Sequence, residues 1–140
     1  MVKQFEDLEV WRLARELTNF TYGCTEMPAF RKDPALADDL RANARSVMNN
    51  ISEGFDRGSN PQFACFLGFV RGSLGELRGQ FVVAHDNGRF DGGSFLEGRQ
   101  RCEALAQKLN ALIRYLRDDI RRQARRRRRK RGSTEGRDDA

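Results

Sequence analysis

Hydrophobic positions recur at helical spacing in four segments, and the breaks between them are marked by Gly, Pro, Asn and Asp. In the first, from about Asp7 to Tyr22, Leu8, Trp11 and Leu17 with neighbouring Ala14 share one side, the recurrence of an amphipathic helix. Gly23 marks its end. The second opens at Asp33-Pro34, a capping acceptor followed by a residue whose missing N–H costs nothing at the first helical position. Its inner stripe is Leu36, Leu40, Val47 and Ile51. Gly58-Ser59-Asn60-Pro61 repeats the stop and start signal, with Asn60 as the expected cap. So short a connection predicts an antiparallel hairpin of the second and third helices.

The third segment has the strongest pattern. Phe63, Leu67, Val70, Leu74, Leu77, Phe81 and Ala84 alternate spacings of 4 and 3, a repeat suited to bundle packing. His85 to Gly93 reads as a loop through Asn87-Gly88 and Gly92-Gly93. Ser94 and Glu97 then have the spacing of a capping box. Cys102, Leu105, Leu109, Leu112 and Leu116 carry a fourth helix to about Ile120. Period-2 alternation of β-branched residues is absent. The expected fold is all-α, an antiparallel up-and-down four-helix bundle over residues 1–120.

Charge divides the chain at the same place. The 140 residues carry a net charge of +6, yet residues 1–120 hold 16 basic and 17 acidic side chains, against 10 and 3 in residues 121–140. The basic excess is therefore confined to Arg121, Arg122, Arg125, Arg126, Arg127, Arg128, Arg129, Lys130 and Arg131. Neighbouring arginines repel one another, so the segment is expected to be a disordered tail past about Gln123. It is also the expected contact with RNA or DNA phosphates. Hydrophobic residues make up 39% of the chain, enough for one modest core. No apolar run approaches the roughly 18 to 20 residues of a membrane span, and the start, Met1-Val2-Lys3-Gln4-Phe5, lacks a signal-peptide core. A cytoplasmic protein without membrane contact is expected.

Candidate chemistry is sparse. Nucleophilic triads, histidine metal motifs and phosphate loops are all missing, so no catalytic residue, metal or cofactor is expected. Cys24, Cys65 and Cys102 are odd in number and form no CxxC pair, and read as small buried thiols. His85 beside Asp86 reads as a surface residue at a helix C-terminus, Asp38-Asp39 and Asp118-Asp119 as solvated surface, and Trp11 as a core or interface anchor.

Two stripes on the central helices stand out. On a wheel of about 100° per residue with Val70 at zero, Gly68, Gly72, Gly75 and Gly79 fall between about 140° and 200°, opposite the core. Four glycines inside a helix cost roughly 3 to 4 kcal/mol relative to alanine, so this back face is expected to be a subunit contact in a homo-oligomer. Ser46, Asn50 and Glu53 flank the core on one helix, as Ser73 and Glu76 do on the next. A structural polar network is expected there in preference to a recognition groove.

The residues that carry a resemblance are Phe5-Glu6-Asp7-Leu8-Glu9-Val10-Trp11, the run from Leu40 to Gly54 ending in Asn50-Ile51-Ser52-Glu53-Gly54, Phe63 to Leu67, and Gly72-Ser73-Leu74-Gly75-Glu76-Leu77. Over Phe5 to Leu116 the chain resembles the bacterial four-helix-bundle family named for proteins encoded in intervening sequences of 23S ribosomal RNA genes. That resemblance implies an antiparallel bundle assembled as a ring, commonly a pentamer, without known catalysis or cofactor. A related protein is the accessory variability determinant of diversity-generating retroelements, a basic ring that associates with reverse transcriptase and nucleic acid. The chain departs from the family pattern at Val47-Met48, which replaces the usual Ile-Pro, and in its arginine tail.

The leading expectation is a non-enzymatic oligomeric scaffold whose tail engages RNA or DNA phosphates. No groove-reading helix or aromatic stacking platform is visible, so strong sequence specificity is not expected. The alternative is a protein-interaction adaptor docking a partner such as a reverse transcriptase or ribosome-associated protein.

Overall fold

The computed structural model describes residues 2–138. Four helices account for most of them: α1 (Glu9–Thr25), α2 (Pro34–Asp56), α3 (Asn60–Asp86) and α4 (Gly92–Asp138), with 3-10 turns at Phe5–Asp7 and Pro28–Lys32. No strand occurs among the described residues. Helices α1 and α3 each pack against both α2 and α4, so the four share one continuous apolar core and form a bundle. All seven apolar positions of the α3 repeat are buried. The stripe of α2 is centred on Leu40, Val47 and Ile51, with small Ala37, Ala44 and Gly54 between them letting neighbouring helices approach.

Polar residues also enter the core, on α1. Thr18, Thr21 and Thr25 are buried, and their hydroxyls donate to carbonyls within the same helix: Thr18 to Ala14 at 2.8 Å, Thr21 to Leu17 at 2.8 Å and Thr25 to Thr21 at 3.0 Å. A buried hydroxyl bonded in this way leaves its methyl free to pack. Trp11 is an anchor of the core, its indole N–H donating to Ser52 Oγ at 2.8 Å.

Several helix ends differ from expectation. Helix α1 starts later and ends later than its sequence pattern, at Glu9 and Thr25. Asp33 caps α2 as expected, accepting from the Leu36 N–H at 3.1 Å. Ser59, not Asn60, caps α3. Asn60 instead donates to Asp119 Oδ2 at 2.7 Å, tying the start of α3 to α4. At the start of α4 the capping acceptor is Asp91, whose Oδ1 accepts from the Ser94 N–H at 2.7 Å and whose Oδ2 accepts from the Ser94 hydroxyl at 3.0 Å. A carboxylate is a stronger acceptor than a hydroxyl and favours a helix N-terminus, so α4 begins at Gly92 and the expected Ser94–Glu97 box does not form. Glu97 pairs with Arg101 at 2.9 Å instead. The loop shrinks to residues 87–91, where Phe90 plugs the end of the core against Phe30 and Phe81, with ring centroids 5.5 and 5.2 Å apart.

Along α4 the buried series is Cys102, Leu105, Leu109, Ile113 and Leu116; Leu112 is only half-buried. A straight helix of 3.6 residues per turn drifts from a strict 3.5 repeat, and one extra step of four moves the core position from Leu112 to Ile113. The largest departure lies beyond the core. The sequence predicts a helix end near Ile120 and a disordered tail, whereas α4 continues to Asp138. Propagating an existing helix adds one hydrogen bond per residue without a new nucleation cost, and arginine is a good helix former. Asp118 and Asp119 pair with Arg121 and Arg122 at 3.8 and 3.6 Å, easing charge repulsion where the helix leaves the bundle.

Candidate functional site

Residues 121–136 are all exposed, so the α4 extension contributes nothing to the core and is free to meet a partner. Its cations do not segregate onto one face. Arg125 to Lys130 occupy six consecutive positions, which on a helix distributes charge around its full circumference. Arg121 and Arg122 are held by the aspartates above. No acidic side chain lies within ion-pair distance of Arg125, Arg126, Arg127, Arg128, Arg129, Lys130 or Arg131 among the described residues. The sequence located this charge correctly but not its form: the structure presents it on a continuous helix.

The outer face of α3 is the second unusual surface. Gly68, Gly72, Gly75 and Gly79 are exposed, and a Cβ built on any of them meets nothing within 4 Å. Packing inside the chain therefore does not account for their cost to helix stability. Phe69, Val82 and Val83 on the same helix are 57%, 45% and 48% exposed. Towards α4 this face opens into a groove of about 290 Å³ lined by Gly75, Arg78, Gly79, Phe81, Val82, Phe95 and Arg99.

The polar stripe comes together in part. Ser46 and Ser73 hydroxyls meet at 2.9 Å between α2 and α3, and Asn50 donates to Ser46 Oγ at 3.1 Å and to its carbonyl at 2.8 Å. Asn43 donates to Gln80 at 2.8 Å across the same helix pair. Glu53 lies outside this cluster, paired with Arg57 on its own helix at 2.8 Å, and Glu76 is exposed. The bonded hydroxyls and amides hold α2 and α3 in register.

Little else is poised for chemistry. Cys24 and Cys102 are buried, but Cys65 is exposed, against expectation; its place on α3 faces away from the apolar stripe. Burial pushes the Cys24 thiol up to about 11 and the Cys102 thiol up to about 12, which keeps both protonated and unreactive at neutral pH. His85 stacks on Phe95 with ring centroids 4.4 Å apart. No group of three or more His, Cys, Asp or Glu side chains gathers as a metal site among the described residues. No helix there is long and apolar enough to cross a membrane.

One feature was illegible in the sequence. Arg71 of α3 and Arg114 and Arg117 of α4 line a single groove of about 430 Å³ with Gln107, Asn110 and Ile113. These arginines are separated by up to 46 positions in the chain, and only the packing of α3 on α4 brings them together. Basic surface is thus present on the bundle itself, although its net charge is near zero.

The model of the 23S rRNA-intervening sequence protein family matches residues 6–111, which cover α1, α2, α3 and much of the packed part of α4 and stop short of the arginine-rich extension. The chain belongs to this family. No curated protein matches it.

Proposed function

We propose that this family member is a non-enzymatic, cytoplasmic scaffold: an antiparallel bundle that assembles as a homo-oligomeric ring and binds RNA or DNA phosphates through the α4 extension. The observation that carries the reading is the cationic run Arg125–Arg131, exposed and without an ion-pair partner among the described residues, on the part of α4 that lies beyond the core. Phosphate contacts of this kind supply affinity without reading bases, so strong sequence preference is not expected. Several extensions on one oligomer raise avidity through effective concentration.

Counterion release makes the reading quantitative. About seven phosphate contacts on a duplex correspond to a slope of roughly −6 in log affinity against log salt, from about 0.9 per contact. Affinity then falls on the order of 10³-fold between about 50 and 200 mM salt. Deleting residues 121–140 is expected to remove about six from the slope. If the shortened chain binds oligonucleotides as tightly as the intact one, the extension is not the contact. The second reading, an adaptor for a protein partner, draws on exposed Phe69, Val82 and Val83 and the groove beside them. Capture that survives nuclease treatment and is lost on Val82→Asp favours it.

A further inference from the structure

The groove between α3 and α4 lies in line with the extension. On α4, Gln107, Asn110, Arg114, Arg117, Arg121, Arg125 and Arg128 follow one another at spacings of 3 or 4, which places them on one face of the helix. No acidic residue occupies the series. It spans 21 steps, or about 32 Å at 1.5 Å per residue, close to one turn of a nucleic-acid duplex at about 34 Å. Arg71 adds a cation from the neighbouring helix at the bundle end of this stripe. Arg57, Arg99 and Arg101 each have a carboxylate within 3.1 Å. Among the described residues Arg71, Arg114 and Arg117 have none within ion-pair distance, as is also true of Arg12, Arg41, Arg45 and Arg78; what sets the three apart is that they line one groove. Three like charges around one groove repel, and an anion placed between them reverses the sign of that energy. The Gln107 and Asn110 amides supply neutral donors to the same anion.

We propose that the Arg71–Arg114–Arg117 groove is a second phosphate-binding site, taking the backbone of the same double-stranded DNA that the extension engages. This rests on the nucleic-acid reading above and extends its footprint from the protruding helix onto the bundle. Duplex DNA fits better than the alternatives. A straight stripe matches a stiff, regularly charged rod, whereas unpaired strands are held by aromatic side chains stacking on bases, and no aromatic residue lies in the series. Because α4 is packed on α1 and α3 over this stretch, the stripe lies along the outside of the duplex and meets phosphates of the B-form repeat of about 34 Å.

The test is fluorescence anisotropy of the full chain on a labelled 20-base-pair DNA duplex at several salt concentrations. Arg71→Ala, Arg114→Ala and Arg117→Ala combined are expected to weaken binding about tenfold or more and to reduce the salt slope by about 2 to 3, at 0.9 per lost contact. A control carrying Arg12→Ala, Arg31→Ala and Lys32→Ala removes the same charge elsewhere and is expected to change the slope by less than about 1. An unchanged slope in the first variant, or an equal loss in the control, overturns the groove while leaving the extension in place. Tighter binding to single-stranded DNA or duplex RNA of the same sequence overturns the choice of duplex DNA. Failure of the intact chain to bind any of the three overturns the nucleic-acid reading itself.

Discussion

At the scale of single residues, Gly54 shows how a small side chain decides a helix crossing. It closes the run Asn50-Ile51-Ser52-Glu53-Gly54 and is buried where α2 meets α3. A Cβ there would sit 2.6 Å from Phe66 Cβ and 3.2 Å from Phe63 Cδ1. Phe66 Cβ is fixed to its own helix, so relief requires α3 to move away from α2 and to disturb the Ser46–Ser73 contact. Gly54→Ala is therefore expected to destabilise the fold by about 1 to 3 kcal/mol despite the better helix propensity of alanine. At Gly23, inside α1, an added Cβ meets nothing within 4 Å, and Gly23→Ala is expected to stabilise by about 0.5 to 1 kcal/mol. Urea unfolding with unchanged m-values reads both, as midpoint shifts of opposite sign; shifts of the same sign would show that propensity, not the crossing, governs Gly54.

At the scale of whole elements, the helices with a one-sided apolar pattern were legible in the sequence, because burial at regular spacing is what holds them. The α3 stripe was readable residue for residue. What escaped has physical causes. The step from Leu112 to Ile113 follows from accumulated drift along a straight helix. The Asp91 cap outcompetes Ser94 through charge, and the α1 threonines hide their polarity in bonds to their own helix. The Arg71–Arg114–Arg117 groove depends on which helices are neighbours, which no single segment encodes. The α4 extension has no apolar pattern at all; it is helical because the packed part of α4 has already nucleated it. Ala124 lies four residues beyond Ile120 and is exposed, so Ala124→Pro breaks this continuity, removing an N–H and clashing with the carbonyl of Ile120, without changing charge. Circular dichroism is expected to lose helical signal, and duplex affinity to fall about tenfold if the charges act as a rigid array extending the Arg114–Arg117 face. Equal affinity with lower helicity would mean that a flexible polycation suffices.

For the molecule as a whole, the question is what covers the outer side of α3. Its four glycines forgo roughly 3 to 4 kcal/mol of helix stability, and among the described residues nothing beyond the helix's own adjacent backbone lies within 4 Å of where their Cβ atoms would be. Exposed Phe69, Val82 and Val83 add apolar area that water penalises. A second copy laid against this surface accounts for both at once, since small residues let backbones approach and the flanking apolar side chains supply burial. In the proposed assembly such contact would set how many α4 extensions act together, which would couple assembly to nucleic-acid affinity through effective concentration. Gly72→Leu combined with Gly75→Leu places bulk on the surface without touching the core. Sedimentation equilibrium is expected to show the variant at the single-chain mass of 16.1 kDa, while the intact protein sediments as a multiple of it. The salt slope measured per chain should then largely persist, because all of the proposed phosphate contacts except Arg71 lie on α4, while apparent affinity for long duplexes drops. An unchanged mass would move the subunit contact off this face and leave the glycines without a partner.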